Sequence, residues 1–337
     1  MATIAHSDAA ALAGDPGNVR GEFIALLTGC GIYELAERAK VKVTGNDRVR
    51  WLNGMVSNNV RDLPVGRGVY AFLLNPQGHI LGDLYIYKQE QRLFLDVEKA
   101  QLANQLQLLR KYIIMDKVEL TDVSSELTVI GVAGPNSAAV FIASGIQIPE
   151  MESLSVFEVT WRDIPLTVIR GPEASQSYEI WLSPQHVDVL RDALGVNGAV
   201  TVSAAAWELR RIALGIPRYG KDIRERELPQ ETGQMRALNF TKGCFIGQEI
   251  VERIRSRGNV HRRFAGFLVD GPLPVAGSRI QAEGKEVGEI TSAASLPFEH
   301  GELRVALGYI RREAEDKQLV AADARLSPVE LPFQAPA

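Results

Sequence analysis

The sequence predicts an α+β protein that closes with a small antiparallel β-barrel. Three observations carry this. Strand-like and helix-like apolar spacing both occur between Val41 and Leu214. Several of the strands follow one another directly through tight turns, which favours antiparallel pairing. From Phe264 onward the pattern changes to short strands broken by Gly and Pro, as in a small barrel.

In chain order, Val41 and Val43 read as a short strand. Thr44-Gly45-Asn46-Asp47 turns it into a helix with Val49, Leu52, Met55 and Val56 on one face. Val69–Leu74 and Ile80–Tyr87 flank Asn75-Pro76-Gln77-Gly78, a hairpin turn with Pro preset for its second position. Arg92–Val97 is a third strand. Leu102, Leu106, Leu109 and Ile113 give a helix over 98–113. Two strands between Val118 and Val132 lead to Gly134-Pro135, and a short helix follows Asn136. Strands are predicted near 154–161, 166–170 and 178–182, and a helix over 185–194. Ser203 caps a helix that Gly215 and Pro217 close. Strands at 264–269, 279–280, 287–290 and 305–310 form the barrel, and the residues after Ser327, with three prolines, read as an extended strap.

The 337 residues allow two or three domains. A net charge of −4 does not favour non-specific contact with nucleic acid, and direct nucleic-acid binding is not expected. Two cysteines, Cys30 and Cys244, are too few for a disulfide framework or for a four-cysteine cluster within one chain. Met1 to Gly21 is Ala-rich, lacks the pattern of a signal peptide and reads as a mobile tail. No apolar run approaches the ~20 residues that span a membrane. The expected location is the cytoplasm.

Lys242-Gly243-Cys244-Phe245-Ile246-Gly247-Gln248-Glu249 is the most informative stretch. Ile246, Ile250, Val251 and Ile254 share a helical face after it, which puts Cys244 just ahead of a helix start with Lys242 two residues away. Both features favour thiolate over thiol, and flanking glycines leave room for a ligand. Cys30, between Gly29 and Gly31, carries no such surroundings and reads as structural. Arg253, Arg255, Arg257, Arg262 and Arg263 form a basic run, read as a solvated face or as an anion site for a polyanionic ligand tail, for RNA phosphates or for a protein partner, the RNA reading being disfavoured by the scarcity of aromatic residues within it.

The octapeptide resembles the K-G-C-[FY]-x-G-Q-E signature of the YgfZ family. Val41-Lys42-Val43-Thr44-Gly45-Asn46-Asp47 with Trp51-Leu52, Gly134-Pro135-Asn136-Ser137, and Leu209 to Ile223 are similar to segments shared by YgfZ and the glycine-cleavage T-proteins. The likeness spans about residues 31–310. It implies a three-domain cloverleaf of the aminomethyltransferase folate-binding type. The division expected is a flexible tail at 1–25, a first folate-binding domain at 26–125 plus 203–260, a second α+β domain at 126–202, and a C-terminal β-barrel with its tail at 261–337. It implies tetrahydrofolate or a one-carbon derivative as cofactor, and iron–sulfur proteins or their assembly factors as partners. The implied role is support of iron–sulfur cluster assembly or repair and of iron–sulfur-dependent tRNA modification, with transient cluster contact through Cys244.

Residue by residue, Cys244 and Lys242 are the implied catalytic pair. Ser177-Tyr178-Glu179-Ile180 resembles the T-protein G-[YF]-E-I, where the Glu accepts from pterin N–H groups. Arg211 matches an Arg that helps hold folate, and Ala213 stands where T-proteins carry a Glu. Tyr219, Gly243 and Gln248 complete the implied cofactor contacts. Asn75 to Asp83 resembles the T-protein N-x-x-G-G-x-x-D-D. Gly82 falls at the first Asp, the catalytic one, while strand alternation is expected to turn Asp83 to the other side. His79, at the second Gly, reads as a polar strand residue. On this alignment the chain is not expected to be an ordinary aminomethyltransferase. The rival readings are a folate-dependent aminomethyltransferase or demethylase, and a binding module with an inert Cys244.

Overall fold

The computed structural model describes residues 16–172, 177–258 and 260–335. The chain opens with α1 (Pro16–Thr28), β1 (Gly31–Glu34), β2 (Arg38–Thr44), α2 (Arg48–Met55), β3 (Arg67–Leu74), β4 (Ile80–Lys88), β5 (Leu93–Glu98), α3 (Leu102–Lys111) and β6 (Glu119–Asp122). It continues through β7 (Thr128–Ala133), α4 (Ser137–Ala143), β8 (Val156–Trp161), β9 (Ile164–Arg170), β10 (Ser177–Leu182), α5 (Val187–Val196), β11 (Val200–Thr201) and α6 (Ala204–Ala213). A largely irregular segment then leads to α7 (Gln248–Arg257) and to β12 (Arg262–Asp270), β13 (Arg279–Ala282), β14 (Lys285–Phe298), β15 (Gly301–Arg311), β16 (Leu319–Ala321) and β17 (Ala324–Val329).

Three sheets result: a five-stranded one in the order β3-β4-β5-β2-β6, a six-stranded one in the order β11-β1-β7-β10-β9-β8, and a closed barrel β12-β15-β14-β13-β16-β17. The expected α+β class and C-terminal antiparallel barrel are both present. The barrel has six strands where four were legible, because β16 and β17 are short and β17 includes Pro328. Ser203 caps α6 by accepting from Ala206 N, as its position predicted.

Two expectations about organisation are corrected. Residues 16–25 belong to a helix and not to a mobile tail, and Phe23 is fully buried in the cluster that joins α1 and α6 to the barrel. Residues 1–15 lie outside the described residues. The strand β1, placed by the sequence division in the first domain, pairs with β7 and β11 of the six-stranded sheet. Four residues carry too little pattern to reveal such a distant pairing. Beyond β17, Phe333 is buried and its N–H donates to Ala213 O at 2.9 Å, so the C-terminal strap is tied to the end of α6.

The β3–β4 hairpin turns at Asn75-Pro76-Gln77-Gly78, with Gly78 N donating to Asn75 O at 2.9 Å. The Lys242–Glu249 loop docks on this turn. Gly247 has φ +82°, and a Cβ there would stand 2.6 Å from Asn75 O, so only glycine fits. Phe245 is buried with Tyr70, Phe72 and Tyr219. Lys242 turns inward as well. Its Nζ donates to the carbonyl oxygens of Asn53, Val56 and Asn58, at 2.5, 2.6 and 2.7 Å. The lysine thus satisfies carbonyls at and just beyond the C-terminal end of α2, where a helix presents unpaired acceptors and a partial negative charge. Burial, with the Arg61 guanidinium, pushes its pKa down to about 7. The three carbonyls oppose this, because only the protonated form has a donor for each.

This corrects the reading of Lys242 as a charge partner for Cys244: the ammonium is used on the backbone of the neighbouring helix. Lys242→Met should therefore behave as a stability mutant. It strands buried carbonyls and should lower the free energy of unfolding by about 2–4 kcal/mol in urea denaturation. Cys244→Ala, at an exposed position, should stay within about 0.5 kcal/mol of the parent.

Candidate functional site: a polar cavity between two sheets

A cavity of about 190 Å³ lies where the five-stranded sheet, the six-stranded sheet and α6 meet. Strand β4 lines it with Asp83, Tyr85 and Tyr87, β10 with Tyr178 and Glu179, and α6 with Trp207. Tyr219 enters from the segment after α6. The wall is aromatic with a few acids and arginines set into it, the usual make-up of a site for a flat polar ligand.

Glu179 Oε2 accepts from Trp181 Nε1 at 3.0 Å and stands 3.9 Å from Lys40 Nζ. Burial first, then the charge of Asp96, raises its pKa above the ordinary carboxyl range. Asp83 Oδ2 accepts from the Tyr70 hydroxyl at 2.6 Å, and burial raises this carboxyl also. The Tyr219 hydroxyl is buried, borders the same cavity and has no hydrogen-bond partner among the described residues. An orphaned buried hydroxyl is uncommon in a folded protein and points to a ligand atom as its missing partner.

The reading of Gly82 and Asp83 is overturned. Gly82, Leu84 and Ile86 form the face of β4 turned to α3, whereas Ile80, across an irregularity in the β3–β4 register, packs with Tyr70 and Phe72; a Cβ at Gly82 would stand 2.6 Å from Gln105 Nε2 of α3. An aspartate at 82 would point under α3 and not into the cavity. Asp83, on the alternate face with Tyr85 and Tyr87, is the carboxyl of β4 that borders the cavity. The alternation of Leu84 and Ile86 with Asp83 and Tyr85 was visible in the sequence and marked Gly82 as core-facing.

Arg211 borders the cavity but is not available to a ligand. Its Nε and Nη2 grip Glu208 at 2.9 Å each, its Nη1 donates to Asp222 Oδ2 at 2.7 Å and to Ile216 O, and Nη2 reaches Ser292 of the barrel at 3.1 Å. All five N–H donors of the guanidinium are used. The expected folate-holding role gives way to that of a strut between α6, the following segment and the barrel. Other arginines border the cavity: Arg38, Arg210, Arg218 and Arg236.

Gly243, Cys244 and Gln248 do not border this cavity. Cys244 is exposed, and α7 begins only at Gln248, with Gly247 as its N-cap. The basic run is also elsewhere: Arg262 pairs with Glu231 at 3.1 Å and Arg263 with Glu315 at 2.6 Å. Cavity and signature loop are nonetheless neighbours through packing, since Tyr70 and Tyr219 share one apolar cluster with Phe245. His79 Nδ1 meets Arg226 O at 2.9 Å, a tie to the irregular segment. Lys40, Asp96 and Tyr70 were not singled out from sequence. A charged residue inside the apolar strand run Ala39–Val43 was the available signal for Lys40.

Residues 16–242 match the family described as GCVT N-terminal domain, and residues 261–336 match the CAF17 C-terminal beta-barrel domain. An aminomethyltransferase of Thermus thermophilus is 26% identical over 321 residues, covering 93% of this chain and 89% of the relative. One of Rippkaea orientalis is 28% identical over 306 residues, covering 87% and 82%. A chloroplastic Arabidopsis thaliana protein, provisionally described as a transferase, is 25% identical over 291 residues. There the match covers 85% of this chain but 66% of the plant protein, just under two thirds of its length. In structure, the glycine cleavage system aminomethyltransferase T from Bartonella henselae superposes with a TM-score of 0.84 at 22% identity, over 95% of this chain and 90% of that one. Among the described residues no helix is long and apolar enough to cross a membrane. With its cavity built at the junction of the two sheets and a CAF17-type barrel behind it, this chain belongs to the GCVT N-terminal domain family and has the aminomethyltransferase fold.

Proposed function

We propose that the protein binds a reduced folate in this cavity and acts as an accessory factor for iron–sulfur proteins, with Cys244 as its reactive group. The observation that supports this best is a division of labour. The polar, aromatic cavity carries two half-buried carboxyls and an orphaned buried hydroxyl. The exposed thiol lies outside it, on a braced loop that shares an apolar cluster with the cavity's Tyr70 and Tyr219.

The residues fit the head of a tetrahydrofolate. A bicyclic ring with adjacent N–H donors suits the Glu179 carboxylate, and the Tyr219 hydroxyl would complete its hydrogen bonding on such a ring. The cavity of about 190 Å³ admits a ring system and leaves a longer tail to run outward, toward cations such as Arg218 or Arg236. When bound, a folate supplies a reduced pterin able to carry a one-carbon unit. The protein's own groups orient the ring and exclude water around it. Cys244, by the resemblance of its octapeptide, protects or transiently contacts an iron–sulfur cluster or its carrier, and the tRNA-modifying enzymes that depend on such clusters would be among the beneficiaries.

A second reading is favoured by one observation. Asp83 stands in the cavity with a raised pKa and a tyrosine on its outer oxygen, the equipment of a proton-handling carboxyl in aminomethyl transfer or demethylation. The accessory reading predicts glycine-cleavage turnover far below that of a T-protein in a system reconstituted with lipoyl carrier protein. Turnover comparable to a T-protein would move the assignment to the transferase.

Folate binding has its own test. Glu179→Ala removes a charged acceptor that the bound ligand would cover, worth about 2–4 kcal/mol, so calorimetry with tetrahydrofolate should show affinity reduced roughly 30-fold or more; unchanged affinity takes Glu179 out of the site. For the thiol, a strain lacking the protein and complemented with Cys244→Ala should accumulate the variant at parental levels yet keep low iron–sulfur enzyme activity. Full rescue would leave the thiol without a role.

A further inference from the structure

Behind the cavity wall sits a group of buried charges to which folate binding alone assigns no task. Lys40 projects from β2 with its side chain 1% exposed, and its Nζ lies 2.6 Å from Oδ1 of the fully buried Asp96 on β5. The same ammonium stands 4.4 Å from the centroid of the Trp181 ring and 3.9 Å from Glu179 Oε2. Trp181 Nε1 donates to that same oxygen. One oxygen of the cavity's carboxylate is thus approached from behind by both a cation and an N–H donor. Arg38 is occupied differently: its Nε holds Asp96 at 2.9 Å and its Nη1 lies 3.4 Å from Glu98.

A buried lysine–aspartate pair is a poor device for stability, because the desolvation of both ions offsets their attraction and an apolar pair often does as well. Its position explains it better. We propose that Lys40 is a positioning residue for the cavity, which keeps the Glu179 carboxylate ionised and its rear oxygen engaged, while Asp96 opposes and so limits that effect. The charged and titratable groups facing Glu179 are Lys40 and Arg38 from β2, Asp96 from β5 and Tyr87 from β4, and α6 adds Glu208, Arg210 and Arg211 to the same cavity. Burial and Asp96 favour the neutral acid, whereas Lys40, Arg38 and the Trp181 N–H favour the carboxylate. The competing influences make the charge of the carboxyl sensitive to both members of the pair. A ring with two adjacent N–H donors binds the ionised form, so the pair sets the pH below which the site weakens. The identity of that ligand rests on the folate reading; the electrostatics do not.

The test uses the full chain without ligand. The Trp181 indole N–H donates to Glu179, so its proton resonance reports the charge of that carboxyl. It is assigned among the four tryptophans with Trp181→Phe, and Glu179→Gln should abolish its titration. Lys40→Met should move the midpoint up, and Asp96→Asn should move it down, each by about one to three pH units, the range for a charge at this separation. A merely structural pair would lower stability in both variants and leave both midpoints in place, which would overturn the proposal. If Lys40→Met does not fold, Asp96→Asn decides alone: a downward shift supports the proposal and an unmoved midpoint overturns it. Calorimetry with tetrahydrofolate across pH then separates the two ideas. Midpoints that shift in a protein binding no tetrahydrofolate remove the folate reading and keep the device. Folate binding with unmoved midpoints does the reverse.

Discussion

The arrangement depends on one buried carboxylate. Asp222 is fully buried, and both of its oxygens are saturated. Oδ2 accepts from Arg211 Nη1 at 2.7 Å and from the backbone N–H of Arg218 at 3.0 Å. Oδ1 accepts from the hydroxyls of Thr291 and Ser292. Those two hydroxyls sit at the irregularity in the β14–β15 register, where a bulge re-aims side chains out of the regular ladder. Three separate parts of the chain therefore meet on one group. Losing Arg211 would leave the Asp222 charge buried without a counter-ion, and losing any other donor would weaken its satisfaction, so the parts are held in a single arrangement.

The consequence for the site is direct. Arg218 and Tyr219 lie within the loop that Asp222 closes, and the backbone around Tyr219 is held by a turn in which Asp222 N and Ile223 N both donate to Arg218 O. This delivers the Tyr219 hydroxyl to the cavity and spends Arg211 on structure. The most prominent arginine of the segment is thus the frame of the cavity, while its less conspicuous neighbours border the space itself. Cavity polarity follows from the same logic: Arg218 pairs with Glu98 at 3.1 Å, and Arg38 with Asp96 at 2.9 Å. Most of the cationic wall already has a partner, and an incoming group meets preset dipoles in place of mobile charges.

The signature loop is built on a different principle. Gly247 is used for close approach to the hairpin turn, Lys242 for the end of α2, and Phe245 for packing beneath the cavity. The thiol is left facing outward. A residue held on such a frame has little freedom to reorganise. The shared cluster of Phe245, Tyr70 and Tyr219 gives a physical path by which occupancy of the cavity can be felt at the loop, because close-packed side chains transmit small displacements.

By itself the sequence determined the α+β class, the order of most elements, the hairpin turn, the Ser203 cap and the barrel, all of which rest on local spacing and turn chemistry. It also marked Glu179 and Tyr219, which border the cavity, through a resemblance in short motifs. Tertiary structure decided what each charge does. Lys242 and Arg211 look in sequence like cations awaiting an anion, yet backbone carbonyls from residues 53–58 and acids from residues 208 and 222 already use them. Asp83 and Gly82 differ in which face of β4 they occupy, and the packing of Gln105 of α3 against Gly82 settles that. Lys40 and Asp96 are separated by 56 positions and become a pair only when β2 and β5 lie side by side. Local pattern records how a segment folds; which polar groups end up satisfied, orphaned or opposed depends on partners brought together from distant parts of the chain.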